Sequence, residues 1–488
     1  MPKKIFTALI FLFFFFGLLF CLNQLNKQPF YDWDEAIYAQ VAKEIIQNQS
    51  LKTSFNGHPW FNKPPLSHLI IALSFITTNY SQFYARLLFA LFSLATAFFT
   101  FKLAKKLFKD DLVALLSVFF LFGSKIYLER STILNTDILI ALAWTGYLFY
   151  LDSFWKKTFF LVLGVWSKSL VGFYPLFFDF FYQLFQKKLF AKKGLITFLK
   201  QVTIQIFFSS LWYLYAYLNF GIYFLKAHFY DQIIKRVEKP IELHISELGW
   251  RYYFYTLWQD QKILSIFLIL AAFIIFYQLI FNQRERRLQL IFSLILPLPF
   301  FLLLLISKSK IYWYLVFILP FLVLIATYPI AWIKNSLWKN FFGLILMALL
   351  GFSFVKNTYL YHHQPEGYKN AEIVSCLEKI PDKKLAYLVD QNERDRYQFL
   401  TQNNLATETS FIYGGSPAFV YYSKKNPVFY YDPQGFKKEY KNYPIILVQK
   451  EDELNFSLNF DQFEDVCSSK NPLENENWHV YVKKDSSQ

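Results

Sequence analysis

Runs of roughly 20 apolar residues recur along this chain of 488 residues, and each is long enough to cross a bilayer as a helix. That repetition constrains the fold more than any other feature. With 55% hydrophobic residues, 60 Phe and only 17% charged residues, the chain does not suit one water-soluble core. The first run covers residues 5–22, behind Lys3 and Lys4. A cleaved leader is one reading of it. An uncleaved anchor is preferred, because more spans follow and Leu19-Phe20-Cys21 makes a poor processing site.

The net charge of +15 invites a nucleic-acid partner, but its distribution argues against one. From residue 357 onward acids outnumber bases, 19 to 15, so the excess positive charge lies between the apolar runs. Basic residues in short loops mark the cytoplasmic side of a membrane protein. Lys3-Lys4, Lys105-Lys106-Lys109, Lys156-Lys157, Lys187-Lys188-Lys192-Lys193, Arg284-Arg286-Arg287 and Lys334-Lys339 fall in alternate gaps. Placing them together in the cytosol predicts about eleven spans, near 5–22, 82–104, 112–128, 138–154, 158–167, 171–186, 195–218, 262–281, 288–306, 311–333 and 338–356. Segments 23–81, 129–137, 219–261 and 307–310 and the tail 357–488 then lie outside. Basic residues there oppose the sidedness trend: Lys63, Arg130, Lys235, Arg236, Arg251, Lys308 and Lys310, with Lys168 in the short gap between spans five and six. Ionisable groups at membrane depth usually have a partner, and an anion such as phosphate is a candidate.

The stretch YDWDEAIYAQ follows the first run and pairs Asp34 with Glu35. Ile37, Val41, Ile45 and Ile46 give residues 34–49 the apolar face of an interfacial helix. Asp32 as helix cap with Glu35 three residues on would form a capping box, which accounts for those two acids but not for Asp34. Asn56-Gly57 signals a turn, and Pro64-Pro65 predicts an extended backbone that pins Lys63. Lys63 also fits a lysine snorkelling at a helix end.

Taken together, DWDEAIYAQVAKEI, NGHPWFNKPPLSHLIIALSF and ARLLFAL resemble the polyprenyl-phosphate-dependent GT-C glycosyltransferases, which include aminoarabinose transferases and protein O-mannosyltransferases. The matching residues are Asp34-Glu35, Tyr38, Gly57, Phe61, Lys63-Pro64 and Arg86. ERSTILNTDILIAL is similar to the family's second outer loop and gives Asp137. LGVWSKSLVGFYP looks like its short lysine-bearing turn and gives Lys168. AHFYDQIIKRV with LHISELGWRYY gives Arg236, His244, Tyr252 and Tyr253, and SKSKIYWYLVFILPFLVL gives Ser307, Lys310 and Tyr314. The similarity runs from residue 1 to about residue 335. Ile37 and Asn62 stand where aminoarabinose transferases carry Arg and Glu.

The resemblance implies a sugar carried on a polyprenyl phosphate, an acceptor oxygen that attacks its anomeric carbon, and a lipid phosphate that leaves. Asp34 is the candidate base and Glu35 the alternative. Lys63, Arg236 and Lys310, with Arg86, Tyr38 and Tyr314, are candidate donor-phosphate contacts. Arg86 has a second reading, as the holder of Asp34 or Asp137. Asp137, Lys168 and His244 complete the candidate pocket, and His244 also fits a hydrogen-bonded interface residue. Asp34, Lys63 and Lys310 should converge in one cavity facing away from the cytosol. The expected acceptor is lipid A or a related envelope glycan, with protein Ser/Thr hydroxyls as runner-up. No cofactor is expected, and no HxH, HExxH or CxxC spacing points to a metal, although an acidic pair with His could bind a divalent cation. The expected setting is a monomer in a bacterial inner membrane, with a periplasmic active site and membrane lipids as neighbours. A lipid flippase or transporter is the competing class, but no internal repeat supports it.

The tail reads as a periplasmic α/β domain, residues 357–488. Residues 383–390, 426–432, 443–450 and 478–484 form strands, and 366–379 and 392–402 form helices. Its two cysteines, Cys376 and Cys467, are expected to pair in an oxidising compartment. Acceptor docking and a lid over the outer cavity are the two roles open to it.

Overall fold

The computed structural model describes residue 25 and residues 29–191, 193–240, 246–281, 298–362, 371–471 and 476–484. The expected span at 5–22, His244 and the first part of the span at 288–306 lie outside the described residues.

Among the described residues, five stretches are long and apolar enough to cross a bilayer: Gln82–Phe108, Phe154–Phe185, Gly194–Glu238, Lys262–Phe281 and Ser336–Tyr359. The chain opens with α1 (Asp34–Gln47), the hairpin β1 (Ser54–Phe55) and β2 (His58–Pro59), and α2 (Leu66–Thr78). The long α3 (Gln82–Phe108) follows, then α4 (Asp111–Gly123), α5 (Lys125–Ser131), α6 (Asp137–Phe149), α7 (Phe154–Lys168), α8 (Tyr174–Phe185) and α9 (Gly194–Phe224). Helix α3 buries Ala90, Ser93, Ala97, Thr100 and Ala104 at helical spacing, so neighbouring helices approach closely. Its buried hydroxyls are satisfied within the helix, Ser93 by Ala90 O and Thr100 by Thr96 O.

Several expected spans are broken or short. Residues 112–128 form two helices, α4 and α5, bent by 77° at Ser124. Helix α6 has 13 residues, about 20 Å, and ends at Phe149 instead of 154. Residues 311–333 divide into a 3-10 turn at Tyr312–Leu315 and helices at Leu319–Ala326 and Tyr328–Trp332, the two helices opening on Pro320 and Pro329. The stretch Phe154–Phe185 is a hairpin and not one rod. Lys157 on α7 meets Asp179 on α8 at 2.6 Å, which a continuous helix could not allow across 22 residues. The turn at Lys168 is therefore where the sequence places it.

The lysine-rich connections share one end of the bundle. Asp152 receives both Lys106 and Lys188, while Asp110 and Asp111 receive Lys339 and Lys105. At the other end of α3, about 40 Å away by helix length, Arg86 is buried against α1. Its Nε and Nη2 donate to the two Glu35 carboxylate oxygens, each at 2.8 Å. Nη1 and Nη2 also donate to the carbonyls of Leu25 and Pro29. Glu35 accepts further from Tyr31 N and Leu134 N, so one carboxylate joins α1, α3 and the loop after α5.

The capping box expected at Asp32 does not form. Trp33 occupies the cap position at φ 69, and Asp32 instead accepts from Ser416 Oγ and Ala418 N in the tail. Helix α1 is buried on both faces, with the tail covering its outer side. Asn56 and Gly57 form the hairpin turn, both at positive φ. Pro65 adopts helical angles and opens α2, so the Pro-Pro pair starts a helix and is not extended throughout.

Residues 371–484 contain a five-stranded sheet ordered β4-β3-β5-β7-β6. β3 (Lys384–Leu388), β4 (Asn426–Tyr430) and β5 (Ile445–Gln449) are parallel, and β7 (Glu476–Lys483) and β6 (Phe463–Asn471) are antiparallel additions. Alternation along β3 and β5 gives each face its own core, with Leu385, Tyr387, Ile445 and Leu447 on one side and Ala386, Leu388, Ile446 and Val448 on the other. Cys376 and Cys467 are not bridged in the structure, but their side chains lie against each other.

Removing Arg86 strands a buried carboxylate. Arg86→Ala should destabilise the chain by about 3–5 kcal/mol, measured by unfolding in detergent micelles, with Arg86→Lys in between because an ammonium cannot make the fork.

Candidate active site

A cavity of about 430 Å³ opens beside the Glu35–Arg86 bond, at the bundle end away from the lysine-rich connections. Segments far apart in sequence line it: Asp34 from α1, Lys63 from the loop before α2, Arg130 and Asp137 flanking the α5–α6 loop, Lys168 ending α7, and Arg236. Asp34 is half-buried in the first turn of α1, directly after the strained Trp33 backbone. Among the described residues its carboxylate has no hydrogen-bond or ion-pair partner, in contrast to Glu35.

Every other carboxylate on the wall has a cation or donor. Asp137 Oδ1 takes the Lys168 ammonium, which also lies 4.5 Å from the ring of Tyr314. Arg130 pairs with Glu129 and covers the Trp313 ring at 4.1 Å. Asn135 holds this loop in place by donating to the carbonyls of Arg130 and Ile133 and accepting from Ile138 N. Lys63 donates to the carbonyl of its neighbour Asn62 at 3.2 Å. Burial and the nearby cations Arg236 and Lys168 lower its pKa to about 8, against the pull of Asp34 and Asp137. Burial and the charges of Asp34 and Asp137 push the Tyr38 hydroxyl well up, so it stays a donor.

The tail supplies the remaining wall. Arg396 pairs with Glu393 and covers the Trp33 ring at 5.1 Å. The Tyr413 hydroxyl accepts from Trp60 Nε1 at 2.8 Å and from Asn62 Nδ2 at 3.2 Å. Thr409 donates to Asn62 Oδ1. The lysine-bearing loop is thus held from two sides.

Comparison with known proteins bears on the fold that carries this site. A sequence family described as dolichyl-phosphate-mannose-protein mannosyltransferase matches residues 62–215. The crystal structure of ArnT from Cupriavidus metallidurans bound to undecaprenyl phosphate superposes with a TM-score of 0.70 at 13% identity, over 97% of this chain and 98% of that one. The chain has the GT-C glycosyltransferase fold. The fold that the motif resemblance implies is thereby borne out. The archaeal oligosaccharyltransferase AglB from Archaeoglobus fulgidus, in complex with an inhibitory peptide and a dolichol-phosphate, matches at TM-score 0.56 and 11% identity, over 97% of this chain and 74% of that one. An uncharacterized protein of Aquifex aeolicus (strain VF5) is 28% identical over 292 residues, 57% of this chain. The matched region is 55% of that relative, so the GT-C chain spans about half of its length.

Of the candidate pocket residues that the structure describes, Asp34, Glu35, Tyr38, Lys63, Asp137, Lys168, Arg236 and Tyr314 line this cavity. Arg86 and Lys310 do not. Arg86 is 2% exposed behind Glu35 and positions that acid; it does not line the cavity as the expected donor-phosphate contact, and it holds Glu35 where the second reading named Asp34 or Asp137. Lys310 turns away, capping the carbonyls of Leu304 and Leu305 beside the Tyr253 ring. The expected convergence therefore holds for Asp34 and Lys63 but not for Lys310; Arg130, Arg236 and Lys168 supply positive charge there instead. Glu35 has its oxygens committed to Arg86 and two backbone amides, which leaves Asp34 as the acid open to a ligand.

Lys63 should titrate with a midpoint of about 8 in the unliganded chain, measured by the pH dependence of its acylation. The ammonium is present below that pH and lost above it, so an anion that relies on Lys63 should bind more weakly as pH rises through 8.

Proposed function

We propose that this chain is an integral membrane glycosyltransferase that moves a sugar from a polyprenyl phosphate to an envelope acceptor. The observation that carries the reading is Asp34, a carboxylate without a hydrogen-bond or ion-pair partner among the described residues, facing Lys63, Lys168 and Arg236 across one cavity. A donor phosphate would lie against those cations, and the acceptor hydroxyl would face Asp34. The acceptor oxygen attacks the anomeric carbon as the bond from that carbon to the phosphate oxygen breaks. Asp34 takes the acceptor proton, and the cations meet the charge that develops on the departing polyprenyl phosphate. Where the acceptor is itself a phosphate, its oxygen needs little deprotonation and Asp34 orients it.

Sidedness follows from charge. The positive-inside trend supports the lysine-rich end as the cytosolic one, and with it our reading of a cavity and tail on the periplasmic face of a bacterial inner membrane. Lipid A or a related glycan is the favoured acceptor. The mannosyltransferase match over residues 62–215 favours protein Ser/Thr as the second reading. The chain is taken as a monomer that needs no cofactor.

Vesicles holding the full chain should transfer a radiolabelled sugar from polyprenyl phosphate to envelope lipid. Asp34→Asn should lower that transfer by about 10²–10⁴-fold with an alcohol acceptor; unchanged transfer would remove the base role. Lys63→Met should raise the KM for the donor more than it lowers kcat, since it removes a phosphate contact. Mass spectrometry of lipid A from cells with and without the gene should differ by one sugar. An unchanged lipid A alongside a glycosylated protein would shift the acceptor to Ser/Thr.

A further inference from the structure

His228 does not line the cavity, yet it touches two of the turns that do. It is 1% exposed. Its Nδ1 lies 2.6 Å from the carbonyl oxygen of Phe61, and its Nε2 lies 2.8 Å from Ser169 Oγ. The Tyr213 hydroxyl donates to Ser169 Oγ at 3.0 Å. These contacts assign the protons. A carbonyl only accepts, so Nδ1 carries the hydrogen. In the neutral ring Nε2 then accepts from the Ser169 hydroxyl, whose oxygen receives the Tyr213 proton.

Each branch of this relay ends beside a cavity cation. Phe61 stands two residues before Lys63, and Ser169 directly follows Lys168. The Lys168–Ser169 turn needs holding. Ser169 has φ 61 and ψ −139, a region that residues with a Cβ rarely occupy and that persists only where the surroundings enforce it. The same turn is closed by Gly172, where an added Cβ would lie 2.2 Å from Val165 N. His228 itself belongs to a π-helix, Leu225–Ile234, a rare form that recurs at functional sites. That helix runs on into Lys235–Glu238, which carries Arg236 to the cavity.

We propose that His228 is a positioning residue which, through Phe61 and Ser169, sets the placement of Lys63 and Lys168 across the cavity. The proposal rests on the transferase reading only for what the two lysines bind. A histidine that merely filled the core would leave both lysines indifferent to its chemistry, provided that volume was kept.

The test is acylation of lysines in the full detergent-solubilised chain by a small amine-reactive ester, read by peptide mass spectrometry. His228→Leu should change the rates at both Lys63 and Lys168 by about tenfold, the scale set by a lost buried hydrogen bond. His228→Gln should stay near the wild-type rate, because its amide N–H and C=O replace the two ring roles. Ser169→Ala should alter Lys168 and leave Lys63 unchanged, and this variant carries the test if His228→Leu does not fold. Lys105, at the opposite end of α3, should be unaffected throughout. Wild-type rates at both lysines in His228→Leu would overturn the proposal, as would Gln and Leu variants that behave alike. Transfer by the wild-type chain is assayed separately. A chain that shows the labelling pattern but no transfer would keep the relay and lose the donor reading.

Discussion

The bond between Glu35 and Arg86 is the constraint on which the site depends. Both groups are almost fully buried, at 1% and 2% side-chain exposure. Two charges taken out of water are tolerable only with good geometry and no lone pairs left over. Arg86 meets this with a two-pronged fork plus the carbonyls of Leu25 and Pro29. Glu35 meets it with the amides of Tyr31 and Leu134. The result joins the first loop, the long helix α3 and the second loop at one point. Asp34 follows from this: its neighbour is fixed, so the first turn of α1 cannot rotate, and its own carboxylate is directed into the cavity.

A second constraint comes from the tail. Asp32 holds the start of the helix Pro417–Ser423, Tyr413 and Thr409 hold Asn62, and Lys235 donates to the carbonyl of Ala406. Asn62 stands where aminoarabinose transferases carry Glu. Here its amide is used to hold the tail, and Lys63 is presented by a loop fastened on both sides. The first loop and the tail form one structural unit around the cavity.

Much of the site is legible in the sequence because its residues oppose a membrane trend. Charged groups at apolar run ends are costly, so Asp34, Lys63, Asp137, Lys168 and Arg236 stand out. Lys310 stands out for the same reason, but its cost is met locally by two helix-end carbonyls. Sequence spacing cannot separate a cation that serves a ligand from one that caps a helix. Arg396 and Tyr413 carried no signal, since nothing in a polar tail marks which residue will cross to another part of the chain. In the sheet, the apolar strands β3, β4, β5 and β7 were readable, whereas β6 was not. Its sequence, FEDVCSSKN, is that of a polar edge strand, which pairs through backbone and not through burial. Helix breaks at Ser124 and Thr327 escaped notice because hydropathy is blind to direction.

The reach from Asp32 to Ser416 has a consequence for biosynthesis. Membrane helices can be inserted one after another as they leave the ribosome, but the pocket wall needs residues made more than three hundred positions later. During translation, then, the early loops wait with Asp34 exposed and the lysine-bearing segment untethered. The pocket wall is complete only once the polar end of the chain has folded against the early loops, with Ser416 on Asp32 and Tyr413 and Thr409 on Asn62.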